Sequence, residues 1–390
     1  MRIIVVVSTL DLRFRLGSTP AWLQLLKALH ETGNEITVIP YLGRETESLW
    51  WEARPNAWRF PGEVYHSLSR KVLGRKTGLA NRYREELVQA ITKATTIPIW
   101  SRYLHKIVET EKETDAIMFL GVPLNQMKGL STKLKSEFSI KTVFYEGDMP
   151  AILPEHNVKR GFMFDAYHGA DLTEYDLFLA NSDGVIPILK RMGARNAHSL
   201  HYAADPDVFR PIQTDKKCDV AFYGYGSQNR EKWMKKMISE PSLCPGISFV
   251  VGGGGFSISL GNATMTGDVP MNEFRRFCCS SKLNLNISRE SHAEITGSSS
   301  ARPFELAALE CSVVSSPYNG LENWFVPDSE IIILSENDDV PGVYESLLSD
   351  EERRLRMGTA ARNRVIKEHT YHHRASSLVS MIRQAKSQDP

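Results

Sequence analysis

The 390-residue chain has little of what usually announces a chemistry. Its five cysteines (Cys218, Cys244, Cys278, Cys279, Cys311) are odd in number, lie in the second half and form no CxxC pair. That excludes a zinc ribbon and a disulfide scaffold, and predicts free buried thiols in a reducing compartment. Lys and Arg number 47 against 46 Asp and Glu, a net charge of +1. No global field therefore draws in nucleic acid, and none is expected as a partner. No apolar run approaches the ~20 residues needed to span a bilayer. The opening MRIIVVVSTL is too short for the apolar core of a secretory signal and reads as a buried first strand, so the expected location is cytoplasmic. There is no GxGxxG, Walker lysine loop, HExxH, EF-hand loop or nucleophile elbow. Neither a resident metal nor a cofactor is expected.

What is present is a repeated alternation of strand and helix. Ile3 to Val7 reads as a strand, followed by the helix TPAWLQLLKALHETG, with Thr19 as cap, Pro20 in the first turn and Gly33 as stop. EITVIPY is the next strand, and this unit opens a parallel sheet. AIMFLGV, KTVFYEG, LFLANS and AHSLHYA continue the series. Residues 44–105 interrupt it with Trp50, Trp51 and Trp58 and the basic stretch SRKVLGRKTGLANRYR. Beyond a proline-flanked linker the cycle restarts with DVAFYGYG, ISFVVGGGG, KLNLNIS, the short strand after ELAALE, and EIIILSE. The expected fold class is α/β, with two Rossmann-like parallel-sheet domains facing across a cleft. Residues 1–210 form the first and 217–370 the second, and a C-terminal helix over 371–390 crosses back to the first.

In open parallel sheets ligands bind beyond the carboxyl ends of the strands, which selects the candidate residues. Gly17 with Ser18, and Gly224 with Gly226, follow strands and could present backbone N–H groups to phosphate, or be ordinary turns. Arg230 offers a guanidinium fork just after the second turn. The glycine run of VVGGGG suits either close ligand approach or a flexible loop. Asp148, beside Glu146 and Gly147, is either a cleft carboxylate or a turn residue. Asp205 and Asp207 sit in a proline turn and read as turn residues rather than metal ligands. His156 and His168 are isolated. In SSSARPFELAALECSVVSS, Pro303 as the first helical residue would put Glu305 where a capping-box glutamate belongs. Alternatively Glu305 grips a vicinal diol and Arg302 a diphosphate.

RPFELAALECSVVSS, with GLENWFVPDSEIIIL, ERRLRMGTAARNRVIKEHTYHHRA, YDLFLANSDGVIPILKRMGA and DVAFYGYGSQNR, resembles the retaining glycosyltransferases of GT-B fold, nearest to a CgeB-like, group 1 branch. The likeness spans roughly residues 140–375. It implies transfer of a sugar from a UDP-, GDP- or TDP-sugar to an acceptor hydroxyl, with retention and without metal. It implies that Glu305 binds the donor ribose and that Arg230, at the Gly224 turn, lies on the diphosphate side. Arg302, Asn286, Arg289, Asn319 and Gly320 would line the same site, and Gly17 is a further candidate for donor binding. Arg230 and Asp148 are the candidate catalytic groups, Asp148 on the acceptor side. The family has a second glutamate eight positions before the first. Here that position is Gly297, with Glu290 or Glu294 as substitutes from the same loop. A nucleotide-sugar epimerase of the same architecture is one alternative. A catalytically silent donor-binding protein in a cell-surface or spore-coat assembly is another. The acceptor would be a small molecule, a glycan or a lipid-linked sugar. Residues 49–84 are the candidate for acceptor contact or for peripheral contact with the inner membrane face, against a solvated face with core tryptophans.

Overall fold

The structure, a computed structural model, describes residues 1–12, 18–58, 90–111, 113–153, 166–226 and 230–385. Gly17, His156, residues 59–84 of the aromatic–basic insert and the last five residues of the C-terminal stretch lie outside them. The chain divides into two compact units. The first comprises Met1–Asp11, Leu26–Leu200 and Ala375–Pro390; the second comprises Leu12–Leu25 and His201–Arg374.

The first unit is built on seven strands: β1 (Arg2–Thr9), β2 (Glu35–Leu42), β3 (Glu52–Ala53), β4 (Ala116–Leu120), β5 (Lys141–Glu146), β6 (Leu177–Ala180) and β7 (Ala197–Ser199). They pair in parallel in the order β3-β2-β1-β4-β5-β6-β7. Val5 stands opposite Val38 on one side and Met118 on the other. Ile3 to Val7 are wholly buried. A parallel strand covered on both faces has no polar alternation, which is why this run is continuously apolar.

Helices α1 (Ala21–Glu31), α2 (Thr96–Thr110), α3 (Leu130–Glu137) and α4 (Ile186–Arg191) accompany the sheet. The Pro20 carbonyl accepts the first helical N–H bonds of α1, from Leu23 and Gln24. Pro20 therefore takes the cap position expected for Thr19, whose carbonyl instead accepts the Gln24 amide. Gly33 ends the helix at φ +84°. The AHSLHYA strand is shorter than expected and stops at Ser199. Within the insert, Trp51 and Trp58 are core residues, and Trp100 of α2 is fully buried against Tyr41.

The second unit has β8 (Cys218–Tyr225), β9 (Phe249–Gly254), β10 (Thr264–Gly267), β11 (Ser281–Asn286), β12 (Val313–Ser315) and β13 (Ile332–Ile333). These are again all parallel, in the order β10-β9-β8-β11-β12-β13. Its helices are α5 (Glu231–Met234), α6 (Phe274–Cys279), α7 (Glu290–Glu294), α8 (Ala301–Ala308), α9 (Val340–Ser349) and α10 (Glu351–Glu368). Helix α11 (Tyr371–Gln384) follows, and the chain returns to the first unit from Ala375. Alternate residues of β8 feed opposite layers. Val220 and Phe222 join Met237, Leu283 and Tyr344, while Tyr223 joins Phe274, Phe304 and Trp324. Three of the four glycines are strand rather than loop, Gly255 follows the strand, and a Cβ on Gly254 would meet nothing within 4 Å. Gly252 to Gly254 are β9 residues paired with Tyr223 to Tyr225. At Gly253 (φ +104°) a Cβ would lie 1.9 Å from the Gly224 carbonyl oxygen. Among the described residues no helix is long and apolar enough to cross a membrane.

Two buried carboxylates in the first unit differ in their partners. Asp176, wholly buried, accepts the Thr142 N–H at 2.8 Å and the Lys135 ammonium at 3.2 Å. Glu146, at the end of β5, accepts the Asp148 N–H at 3.1 Å. Burial pushes its carboxyl up to about 7, against the pull of the Asp148 and Gly147 N–H groups.

Asp176→Ala leaves the Lys135 ammonium buried and unpaired, and should destabilise the protein by about 3–5 kcal/mol in chemical denaturation. Glu146 holds its proton in the folded chain over a range where the unfolded chain has released it. Its contribution is therefore fully present below pH 4.5 and is lost as pH rises through about 7. Glu146→Gln should flatten the stability profile between those values by ~1–3 kcal/mol. Unfolding midpoints across the window measure it, and an unchanged slope contradicts it.

Candidate functional site

In the second unit the strand order reverses direction between β8 and β11. The carboxyl ends of two neighbouring strands at such a point leave a crevice where open α/β sheets take ligands. The segments entering it are residues 224–226 with Arg230 after β8, and 287–300 after β11 leading into α8.

Helix α8 begins at Ala301, with Ser300 in extended conformation and making no side-chain cap bond. Pro303 is thus the third helical residue, not the first. It is tolerated there because an N–H in the first turn has no partner within the helix. Glu305 is the fifth residue, two places beyond a capping-box glutamate, so the capping interpretation falls. Its immediate neighbour Phe304 is fully buried among Trp324, Phe325 and His369, at ring separations of 5.6, 5.5 and 5.4 Å. That anchor sets the helix's rotation and turns Glu305 inward.

Glu305 is 3 % exposed. One carboxylate oxygen accepts the Ser18 hydroxyl at 2.7 Å, and the other lies 3.1 Å from Nη1 of Arg302. The i,i+3 spacing places both charged groups on one helix face. Burial raises the Glu305 pKa above the ordinary carboxylate value; the Arg302 charge and the Ser18 hydroxyl oppose that rise. Arg302 rests against two rings, its guanidinium carbon 4.5 Å from the Phe274 centroid and 5.4 Å from that of Tyr223. Its approach to Glu305 is an ion pair off the hydrogen-bond direction, and Nη1 has no acceptor. The hydroxyls of Ser288 and Ser291, after β11, are also buried without partners. Buried donors of this kind are rare in finished structures and point to a ligand or water.

The remaining expected residues are placed as follows. Arg230 precedes α5 and donates to the Tyr225 carbonyl at 2.8 Å, folding back over the end of β8 where Gly224 pairs with Gly253. The amide of Asn286 donates to the Ser315 hydroxyl at 2.8 Å and so joins β11 to β12. Arg289 is half-buried in the position before α7, while Glu290 and Glu294 on that helix are exposed. Asn319 accepts the Gly297 N–H at 2.9 Å and donates its own to the Ala293 carbonyl at 3.2 Å. Gly297 has φ +65° and Gly320 φ +96°, and a Cβ on Gly320 would lie 2.7 Å from the Gly297 nitrogen. The absence of a glutamate at 297 therefore has a structural reason. The position is a left-handed turn closed by backbone, where any side chain is strained. Asp205 accepts the N–H groups of Asp207 and Val208, as a turn residue does. Asp148, half-buried, belongs to the first unit, in the turn after Glu146.

The second unit thus brings Arg302 and Glu305 together with Ser18, and Asn319 and Gly320 together with Gly297. Phe274 and the serines at 288 and 291 escaped sequence reasoning. Ser288 carried the same signal as Asn286 and Arg289, a polar residue just beyond a buried strand. A buried carboxylate with lone pairs to spare, a pinned guanidinium and unused hydroxyls can hold a hydroxylated anion.

Residues 230–380 match the model of a family described as glycosyl transferase-like. Sucrose-phosphate synthase from Thermosynechococcus elongatus superposes at a TM-score of 0.65 with 12% identity, over 98% of each chain. The E. coli trehalose-6-phosphate protein bound with UDP-2-fluoro glucose gives 0.63 and 10%, over 100% of each. Anabaena HepE in complex with UDP gives 0.59 and 12%, over 98% of this chain and 100% of that one. No curated protein matches in sequence. The chain has the two-sheet fold of the GT-B glycosyltransferases, and its residues 230–380 match the glycosyl transferase-like family model.

Proposed function

We propose that the protein is a glycosyltransferase that moves a hexosyl group from a nucleoside diphosphate sugar to an acceptor hydroxyl, with retention and without a metal. The observation that carries this reading is Glu305, a carboxylate buried at a strand-end crevice and already accepting one hydroxyl. A ribose diol offers two donors to such a group. Two of the similar structures hold UDP or a UDP-sugar, which favours a uridine donor. The developing charge on the departing diphosphate would be met by Arg302, Arg230 and the N–H groups opening α8. Asp148 is assigned the acceptor side, where it would hold the incoming hydroxyl while the leaving phosphate takes its proton.

Titration calorimetry with UDP, GDP and TDP should find binding, and the matching sugar donor should release nucleotide in the presence of chelator. Glu305→Gln loses the charge assistance of its hydroxyl contacts, roughly 1.5–3 kcal/mol. Nucleotide affinity should then fall on the order of 10–100-fold. Affinity that is unchanged removes Glu305 from the ribose. Asp148→Asn should lower turnover with donor affinity intact; normal turnover takes Asp148 out of the site.

A second reading has one observation in its favour. Gly297 leaves the loop without the family's sugar-side carboxylate, and Glu290 and Glu294 are exposed. A donor-binding protein without turnover would bind nucleotide sugar and release no nucleotide with any acceptor.

A further inference from the structure

All five cysteines are free. Two of them, distant in sequence, meet. Cys279 ends α6 and Cys311 lies in the turn between α8 and β12. Both sulfurs lie 3.9 Å from the Leu309 carbonyl oxygen, so the two thiols share one acceptor. Their surroundings differ in charge rather than in burial, at 6 % exposure for Cys279 and 7 % for Cys311. The Ile212 N–H is directed to the Cys279 sulfur, and the charges of Lys216 and Arg275 are close by. Lys216 is tethered, its Nζ 2.9 Å from the Cys279 carbonyl and 3.0 Å from that of Ser281. Arg275 stands one helical turn before Cys279, with Nε on the Arg210 carbonyl at 3.1 Å. Cys311 has Cys278 as a further thiol neighbour. The Cys279 thiol is accordingly pushed down, its contact with Cys311 outweighing burial, and the Cys311 thiol is pushed up. No set of three or more metal-ligating side chains forms among the described residues, so the chemistry open to this pair is that of thiols.

We propose that Cys279 and Cys311 form a reversible dithiol–disulfide site whose oxidant is a peroxide. The Cys279 thiolate attacks one peroxide oxygen. The O–O bond breaks, the other oxygen leaves as hydroxide and becomes water with the proton Cys279 released, and the sulfur becomes a sulfenic acid. The Cys311 sulfur then attacks that of Cys279. The S–S bond forms as the S–O bond breaks, and the Cys311 proton leaves with the oxygen as a second water. Two thiols are oxidised and one hydrogen peroxide is reduced to two waters. The site is well placed to report on the donor crevice. Helix α6 carries Phe274, on which Arg302 rests, and Leu309 closes the helix that carries Arg302 and Glu305.

The test is to treat the full chain, folded, with hydrogen peroxide, alkylate it under denaturing conditions with N-ethylmaleimide, and map the peptides. Two of the five thiols should become unreactive through a single Cys279–Cys311 cross-link, and dithiothreitol should restore them. Cys311→Ser should stop the reaction at a dimedone-reactive Cys279, while Cys244→Ser should leave the cross-link intact. Full alkylation of Cys279 and Cys311 after peroxide overturns the proposal, as does a cross-link joining any other pair. The map of the unmutated chain decides the matter even where Cys311→Ser does not fold.

Discussion

The second unit depends on one constraint, the burial of Glu305. Removing a carboxylate from water is tolerable only where charge and hydrogen bonds replace the lost solvation. Arg302 supplies the charge and Ser18 the hydrogen bond, each to a different oxygen. Both would be useless if α8 were rotated by a fraction of a turn. The rotation is set by Phe304, wedged between Trp324, Phe325 and His369, so an apolar contact determines where a polar one is made. Arg302 in turn needs Phe274 and Tyr223 beneath it, which makes the end of β8 and the start of α6 part of the same arrangement.

The loop before α8 shows the same dependence through backbone. Gly297 and Gly320 touch main chain to main chain, and the Asn319 carbonyl closes the contact. A glutamate at 297 would have to take the left-handed backbone of this closure, at a cost in strain. The departure from the family pattern is therefore a property of the whole loop rather than a single lost side chain.

Much of this was legible beforehand, and for identifiable reasons. Ile3 to Val7 could be read as a doubly covered strand because parallel sheets leave no room for polar alternation. The two sheets followed from the restart of the strand–helix cycle near residue 217. Glu305 stood out because a carboxylate inside an apolar helix needs an explanation. What could not be read were contacts across long separations: Ser18 reaches Glu305 over 287 positions. The start of α8 was misplaced because proline marks the first turn of a helix without specifying which residue of that turn it occupies. The four glycines were ambiguous for a related reason. Their freedom serves a strand pressed against Gly224 as well as it would serve a loop.

The aromatic seat of Arg302 has a consequence for the kinetics of recognition. A surface arginine surrenders rotamer freedom when it grips an anion, roughly 0.5–1.5 kcal/mol for each side chain so ordered. Seated against Phe274 and Tyr223, this guanidinium has given up much of that freedom at folding. On the proposed function, an incoming anion would meet a guanidinium already in place, with no search among conformers. Discrimination among anions would then rest on how long each remains in that fixed geometry, rather than on how well the side chain adjusts to it.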